Sequence, residues 1–361
     1  MRILLVEPLY KRTYPPLGLM KISTWYKKKG YDVKFIRGNN WIDSNGYKPD
    51  EIYVTSLFTW DLPEVVQTVR AFKKKFPQAE LKIGGVGASA MPEYIEKETG
   101  IKPHVGVLPK VDRCRPDYSL FPDLKESMIF TQRGCPHKCQ YCVVRKIEPD
   151  YYEIKGWEKA IEPSKPRIVV FDNNLLKSSY KHVRHVFDVL NKTNKTFDIN
   201  SGFDVFLFKQ EHAEIIAKSK IKPIRLAFDK MSQEKALIRT VDLLKKVHVS
   251  PDKIRVYVLY NYKDDIKEAR YRADKVIELG CKPFVMRYKP LDWLNKEPYV
   301  SPKWTKKELV NFTYYYNMPV IWNTMSYDDF LKERTAGTFE KERRNNKKTA
   351  KRFDKTLANF S

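Results

Sequence analysis

The hydrophobic and polar residues of the first 110 positions follow a pattern that predicts strands separated by amphipathic helices. Short apolar runs typical of buried strands lie at 3–8, 32–38, 51–58, 80–85 and 104–108. Helical spacing of apolar residues recurs between them at 17–30, 62–77 and 91–100. Strands that alternate with helices of this length form a parallel sheet, so residues 1–110 are predicted to fold as a doubly wound, Rossmann-like domain.

The same alternation resumes after residue 126 and continues to residue 295. Strand-like runs lie at 127–134, 167–174, 197–203, 223–229, 253–262 and 281–288. Helical spacing separates the later strands at 178–192, 211–220, 233–248 and 265–280. Six such units are fewer than the eight of a closed barrel, so a partial, open (β/α)6 barrel of the TIM type is predicted over residues 126–295.

Two further segments complete the predicted organisation. Residues 111–125 are rich in proline and aspartate, show neither period and are predicted to form a linker. Residues 296–361 lose the strand pattern and are predicted to form a helical, aromatic and basic C-terminal extension. Its end, residues 341–361, carries eight Lys or Arg and two acidic residues, which predicts an exposed helix or a flexible tail. The predicted fold class is therefore α/β.

The chain is strongly basic, with 68 Lys and Arg against 44 Asp and Glu and a formal net charge of +24. Such an excess attracts nucleic acid, other anions or acidic membrane surfaces, although a basic surface without a specific partner explains it equally well. No apolar run approaches the ~18–20 residues needed to span a bilayer, and the apolar N-terminus is typical of a first strand rather than a signal peptide. No membrane partner is therefore expected.

Three of the five cysteines, Cys135, Cys139 and Cys142, lie within eight residues of one another. Cys114 and Cys281 are isolated in the sequence. A disulfide framework would spread an even number of cysteines through a small secreted chain, so this pattern favours a reducing, cytoplasmic location and a metal site.

Thiolates are soft ligands suited to iron–sulfur clusters, zinc or copper(I). Three thiolates in one short loop can each bind a different iron of a cubane cluster, which leaves the fourth iron without a protein ligand. A structural zinc ion needs a fourth ligand. His137 lies too close within the loop to supply it, and Cys114 or Cys281 would have to come from a distant part of the chain. An iron–sulfur cluster is therefore favoured over zinc.

The spacing C-x-x-x-C-x-x-C after the first barrel strand, with Tyr141 before the last cysteine, resembles the radical S-adenosylmethionine (SAM) superfamily over about residues 125–295. The resemblance implies a [4Fe–4S] cluster whose open iron is chelated by SAM. It implies reductive cleavage of SAM to methionine and a 5′-deoxyadenosyl radical, which abstracts hydrogen from a substrate. It also implies an electron donor such as flavodoxin or ferredoxin.

Polar residues at the carboxyl ends of the barrel strands are predicted to bind SAM, because active sites of such barrels lie at that end. Together with Tyr141, the predicted cofactor-binding residues are Asp172, Asn173, Asn174, Asn200, Ser201, Asp204, Asp229 and Arg287. The segment 171–174 also resembles a stretch of radical SAM enzymes that carry a cobalamin-type domain. A turn or helix cap explains any single Asp, Asn or Ser equally well.

Two segments of the N-terminal domain, 15–19 and 84–93, resemble the cobalamin-binding domain that precedes many radical SAM cores. The small residues at 84–90 would let the backbone approach a ligand closely. There is no D-x-H-x-x-G motif, so no histidine is offered as a lower cobalt ligand. Cobalamin and cobalamin-assisted methyl transfer are therefore one hypothesis, and a domain of this type without a cofactor is the other.

Two functions from different classes follow from these features. The first is a radical SAM enzyme that acts on a nucleic-acid base or on a small metabolite or peptide. The second is a non-catalytic, zinc-stabilised nucleic-acid-binding protein. Metal analysis separates them, since the enzyme predicts about four iron and four sulfide per chain and the binding protein predicts one zinc ion.

Overall fold

A computed structural model describes residues 1–10, 14–38 and 46–336 of the chain. The strands in this part are β1 (Arg2–Glu7), β2 (Asp32–Arg37), β3 (Glu51–Ser56), β4 (Glu80–Gly85), β5 (Glu126–Ile129), β6 (Gln132–Arg133), β7 (Tyr152–Glu153), β8 (Arg167–Val170), β9 (Thr196–Ile199), β10 (Ile224–Ala227), β11 (Ile254–Tyr260) and β12 (Lys282–Arg287). The α-helices are α1 (Leu17–Lys27), α2 (Leu62–Lys75), α3 (Val86–Ala90), α4 (Pro92–Thr99), α5 (Pro109–Asp112), α6 (Val144–Ile147), α7 (Tyr180–Lys192), α8 (Gln210–Ala217), α9 (Glu234–Lys246), α10 (Ile266–Glu278), α11 (Lys306–Tyr316), α12 (Pro319–Trp322) and α13 (Tyr327–Ala336).

The N-terminal strands form one parallel sheet in the order β2-β1-β3-β4. Successive side chains of a strand point to opposite faces, and β1 uses both faces for burial. Leu4 and Val6 pack in one cluster with the apolar side of α2, whereas Ile3 and Leu5 pack in another cluster with α1. Helices therefore cover both faces of this sheet, which is why its central strand β1 is apolar at four consecutive positions, 3–6.

One predicted N-terminal strand, 104–108, is absent from this sheet. The backbone N–H of His104 donates to the carbonyl of Ile83 over 2.8 Å, but the chain then turns away into α5. The turn uses Gly106 at a φ of 84°, and a Cβ there would lie 2.7 Å from the carbonyl oxygen of Ile147. Close packing against the later part of the chain therefore overrides the local strand preference.

The predicted linker, residues 111–125, packs against the rest of the protein. Val111 joins the cluster between α1 and the first sheet, and Tyr118 is buried. The Tyr118 hydroxyl accepts from the backbone N–H of Met128 over 2.7 Å, which ties the segment to β5. This irregular segment is thus a packed connection between the N-terminal sheet and β5, and it is not an extended linker.

The second part of the chain contains two three-stranded parallel sheets, β5-β8-β9 and β10-β11-β12. A single parallel bridge between Phe197 and Ile221 links the end of one sheet to the segment that precedes the other. Both sheets and the apolar faces of α7, α9 and α10 contribute to one hydrophobic core. The six strands predicted from the sequence are present in chain order, and their closure into a partial barrel stays a prediction.

The described part of the C-terminal extension contains the three helices α11, α12 and α13. Helix α11 begins at a capping box in which Thr305 and Glu308 bond each other's backbone N–H groups. Phe312, Tyr316 and Phe330 are buried in the same core as the strands. The basic run at 341–361 lies outside the described residues. Among the residues described, no helix is long and apolar enough to cross a membrane.

Candidate metal centre

The cysteine loop, residues 135–142, leaves the end of β6 and leads towards α6. Cys135, Cys139 and Cys142 are all half-buried in it. The backbone N–H of Cys142 donates to the carbonyl of Cys139 over 3.1 Å, which closes a tight turn between these two residues. All three predicted metal ligands therefore depend on one short local conformation.

The three thiols lie close enough to affect one another electrostatically. Burial raises the pKa of Cys142, and the neighbouring Cys139 and Cys135 raise it further because thiolates repel one another. Burial also raises the pKa of Cys135, although hydrogen bonds from the backbone of His137 and the side chain of Asn174 oppose the shift. A bound cation removes such repulsion and displaces the thiol protons, so the donor chemistry of the loop fits a thiolate-bound metal.

The other candidate ligands are placed elsewhere or already engaged. Cys114 packs beside the cluster under α1, and Cys281 lies in the C-terminal core, where burial raises its pKa to about 12. His137 donates from Nε2 to Oδ2 of Asp204 over 2.5 Å. Within the described ranges, no three His, Cys, Asp or Glu side chains are grouped tightly enough to hold one ion. Neither Cys114 nor Cys281 adds a fourth ligand at the loop, and a metal centre on its three thiols stays a prediction from the sequence.

Tyr141 reaches from the cysteine loop to the end of β10. Its hydroxyl donates to Oδ2 of Asp229 over 3.1 Å, and Oδ1 of the same carboxylate accepts from the backbone N–H of Leu259 over 3.0 Å. Burial raises the pKa of Asp229. Both carboxylate oxygens are used inside the protein, so Asp229 positions Tyr141 and the loop.

A polar group beside Cys135 connects the ends of β8 and β9. Nδ2 of Asn174 donates to Oδ2 of Asp204 over 3.0 Å, beside the bond from His137. Burial works to raise the pKa of Asp204, but the hydrogen bonds from His137 and Asn174 outweigh it and lower the pKa. Oδ1 of Asn174 is buried without a hydrogen-bond partner in the described residues. Asn174 and Asp204 thus lie beside the loop, whereas their binding of SAM stays a prediction from the sequence.

Asp172 and Asn173 support the scaffold of the loop. Asp172 is fully buried, and its Oδ1 accepts from the backbone N–H groups of Thr131 and Gln132 over 2.6 and 3.1 Å. Burial raises the pKa of Asp172 to about 6. Nδ2 of Asn173 donates to Glu148 over 2.7 Å. These side chains bind the protein's own backbone and carboxylate rather than facing an open site.

Three predicted cofactor ligands are not gathered at the loop. Asn200 and Ser201 are exposed beyond the end of β9. The Arg287 guanidinium donates to the carbonyl of Leu309 on α11 over 3.2 Å and to the hydroxyl of Tyr260 on β11 over 3.1 Å. A long cationic side chain at a strand end reaches the nearest backbone acceptors, and here the neighbouring helix supplies them.

Sequence reasoning missed a buried charge network beneath the loop. Arg133 donates to Oε1 of Glu148 over 2.8 Å and to Oδ1 of Asp112 over 2.5 Å, and Lys21 lies 3.2 Å from Asp112. Oε2 of Glu148 accepts from the backbone N–H of Gly134 over 2.9 Å. The network joins α1 and α5 to Arg133 at the end of β6 and to Glu148 directly after α6. The sequence feature that could have indicated this network is the charged Arg133, directly before Gly134 and Cys135.

Gly134 is required by the packing at the start of the loop. Its φ is 73°, and a Cβ there would lie 2.2 Å from the carbonyl oxygen of Asp150. Gly134→Ala is expected to lower the free energy of unfolding by about 1–3 kcal/mol, because a side chain strains this backbone conformation and clashes with a backbone atom. Urea unfolding followed by circular dichroism measures the change.

Gly156 provides the matched control for this substitution. Its φ is 72°, nearly the same as at Gly134, but a Cβ there has no neighbour within 4 Å. Gly156→Ala should therefore cost only the backbone strain, about 1 kcal/mol. Equal losses for the two alanine variants would contradict the role given to the contact between Gly134 and Asp150.

In the glycine-rich segment of the N-terminal domain, the protein's own backbone fills the space beside the glycines. A Cβ on Gly85 would lie 2.3 Å from the carbonyl oxygen of Ser56, and one on Gly87 would lie 2.9 Å from that of Phe58. The Ser56 hydroxyl bonds the carbonyl of Gly84 and the backbone N–H of Ala88. These small residues permit close packing within the domain, so cobalamin stays a prediction from the sequence alone.

The architecture defines the chain as an α/β protein with a three-cysteine loop that follows strand β6. No family model matches it. It is similar to the protein named RNA polymerase II transcription factor B subunit 3 from Kluyveromyces lactis, with 25% identity over 202 residues, 55% of this chain and 57% of that one. The same-named proteins of Saccharomyces cerevisiae and Candida glabrata are 24% and 26% identical, over 55% of this chain and 56% and 55% of theirs. The chain spans about half the length of these curated relatives.

These relatives contradict the predicted class of protein. Their name describes a transcription-factor subunit, whereas the resemblance around the cysteine loop predicted a radical SAM enzyme. The enzyme assignment, its radical chemistry and its flavodoxin or ferredoxin donor are therefore corrected. The physical reason is that three closely spaced thiolates specify a soft metal but no particular reaction. The relatives accord better with the alternative, a non-catalytic nucleic-acid-binding protein.

Proposed function

We propose that this protein is a non-catalytic nucleic-acid-binding subunit of a transcription complex, stabilised by a metal centre on Cys135, Cys139 and Cys142. The observation that carries the proposal is the similarity to the three transcription-factor subunits. The net charge of +24 supports it, because phosphate backbones bind basic proteins through the release of counterions.

The metal centre would act as a cross-link in the loop. Metal-bound thiolates hold their segment in one conformation, and the binding free energy adds to the stability of the folded state. The three sulfurs suit a zinc ion or an iron–sulfur cluster such as the [4Fe–4S] cluster predicted from the sequence. SAM, like cobalamin, stays a prediction from the sequence, with no structural observation in its favour.

The proposed function also implies a location in the cell. Transcription takes place on chromosomal DNA. In a cell with a nucleus, a transcription subunit would work there, in place of the cytoplasmic location predicted from the cysteine pattern. In a cell without a nucleus, the two locations coincide.

Binding of nucleic acid is expected to depend strongly on salt. A protein that neutralises about six phosphates loses about 10³-fold in affinity between about 50 and 200 mM salt. Fluorescence anisotropy with a labelled duplex and a labelled single strand, each of arbitrary sequence, measures this dependence. A variant with the eight Lys and Arg of residues 341–361 changed to Gln shows how much of it the basic run contributes. Undetectable binding at the lower salt concentration would contradict the nucleic-acid role.

A further inference from the structure

We propose that an aromatic row beside the cysteine loop binds the bases of a single-stranded nucleic acid, an inference that rests on the proposed function. The aromatic row consists of five half-buried side chains, Tyr141, Tyr262, Tyr288, Tyr299 and Trp293. Neighbouring ring centroids in this order lie 5.5, 4.7, 5.9 and 5.2 Å apart. The row is therefore continuous from the cysteine loop to the segment after β12.

The parallel strands place these rings at one edge of the second part of the chain. Tyr262 follows β11 and Tyr288 follows β12, and the register pairs Tyr260 with Arg287 at the ends of these strands. Tyr141 joins the row from the loop and contacts Tyr262. Residues from three separate segments thus form one surface, which no local sequence pattern reveals.

The rings meet edge to face, with interplanar angles of 76°, 62°, 87° and 73° along the row. In an edge-to-face pair the edge of one ring meets a face of the other, so the ring that contributes its edge keeps its faces free of that neighbour. The rings of the C-terminal extension differ, because Phe312 and Tyr316 are completely buried in the core. Partial burial therefore distinguishes the row from aromatic residues that only fill the interior.

Positive charge accompanies the rings. Nζ of Lys263 donates to Oε1 of Gln140 over 2.7 Å, and Nζ of Lys303 donates to the carbonyl of Lys263 over 3.0 Å. Both acceptors are neutral, although Lys303 also interacts electrostatically with the carboxylate of Asp265. Nζ of Lys289 lies 4.1 Å from the ring centroid of Trp60, which extends the arrangement to the N-terminal domain.

A site that combines aromatic rings for base stacking with lysines for phosphate binding suits a single strand better than a duplex. The base faces of a duplex are covered by their neighbours, whereas an unpaired base can stack on a protein ring whatever its identity. The phosphates of the same strand would lie near Lys263 and Lys303. The row thus assigns a substrate class, single-stranded nucleic acid, to the proposed binding function.

The test uses the full chain and Tyr288, whose ring is central in the row. Tyr288→Leu removes the ring and keeps an apolar side chain, while Tyr288→Phe keeps the ring as the matched control. Fluorescence anisotropy with a labelled oligothymidine of about 20 nucleotides should show about tenfold weaker binding for Tyr288→Leu and unchanged binding for Tyr288→Phe. Affinity for a labelled duplex should be the same for both variants and the wild type.

The lysines are tested in the same assay. Lys263→Gln combined with Lys303→Gln should weaken single-strand binding and reduce its salt dependence, whereas Lys332→Gln on the exposed side of α13 should do neither. If the wild type and Tyr288→Leu bind the single strand equally well, the proposed role of the aromatic row is wrong, but the proposed function stands. A wild-type chain that binds neither a single strand nor a duplex would overturn both. Circular dichroism confirms that each variant is folded.

Discussion

Replacing Cys139 by serine is expected to abolish metal binding by this protein. The loop supplies three thiolates, and the two remaining cysteines lie in apolar clusters where they cannot replace a lost ligand. A serine hydroxyl is neither soft nor easily ionised, so it does not substitute for a thiolate. We expect the metal content to fall from one centre per chain to near zero, and the stabilisation by metal to disappear with it. Structural zinc sites contribute about 10–16 kcal/mol of binding free energy, which indicates the scale.

Metal analysis after anaerobic purification measures this effect and identifies the centre. One zinc ion per chain and four iron with four sulfide are the two compositions that the three thiolates suit. Cys114→Ser is the control, because Cys114 lies outside the loop and its loss should leave the metal content unchanged. A wild-type chain without bound metal, or a Cys139→Ser chain that keeps it, would contradict the proposed metal centre.

Arg133→Met is expected to destabilise the fold by about 3–5 kcal/mol, the usual cost of removing one partner from a buried charge pair. The Arg133 side chain is 9% exposed, and it contacts Asp112 and Glu148, whose side chains are 6% and 8% exposed. Methionine leaves both carboxylates buried without their main partner. The free energy of unfolding in urea measures the loss.

The exposed ion pair of Arg70 and Glu98 provides the comparison. Its side chains are 59% and 32% exposed, and Arg70→Ala should change the free energy of unfolding by less than about 1 kcal/mol. A similar effect for Arg70→Ala and Arg133→Met would show that burial does not set the strength of the network.

The same network makes stability depend on pH. Burial by itself would raise the pKa of Asp112, but Arg133 and Lys21 outweigh it and hold the pKa below the usual 3.8. The unfolded chain therefore binds the Asp112 proton at a higher pH than the folded chain does. This contribution to stability is present above about pH 4 and is lost as the pH falls below it. The loss on acidification should be smaller in Arg133→Met.

Much of the fold could be predicted from the hydrophobic pattern. The short β6, β7, α3, α5, α6 and α12 were not predicted, whereas the longer strands and helices between β1 and β12 lie within a few residues of the runs that periodicity indicates, because each must bury one side and the spacing of its apolar residues shows which. The strand at 104–108 was the exception. There the position of Gly106 against Ile147 decided the conformation, and such a contact between distant segments has no local signal.

The candidate site was predicted less completely. Asn174 and Asp204 lie beside the cysteine loop as expected from their positions at strand ends. Asp172 came from the same argument, but its carboxylate binds backbone N–H groups. Polar residues at strand ends serve as ligands and as caps alike, so position does not separate the two roles. The function drawn from the cysteine spacing was wrong by comparison with the transcription-factor relatives, since spacing describes metal ligands and carries no information on a reaction.

The sequence by itself determined the order of strands and helices, the basic character of the chain and the three cysteines of one short loop. These properties are local, because periodicity, charge and ligand spacing are each contained in a few consecutive residues. Only the tertiary structure decided which side chains support that loop. Arg133, Glu148, Asp112 and Lys21 come together from four segments, and the aromatic row unites three more. Long-range packing of this kind depends on how strands and helices meet, which no single segment encodes.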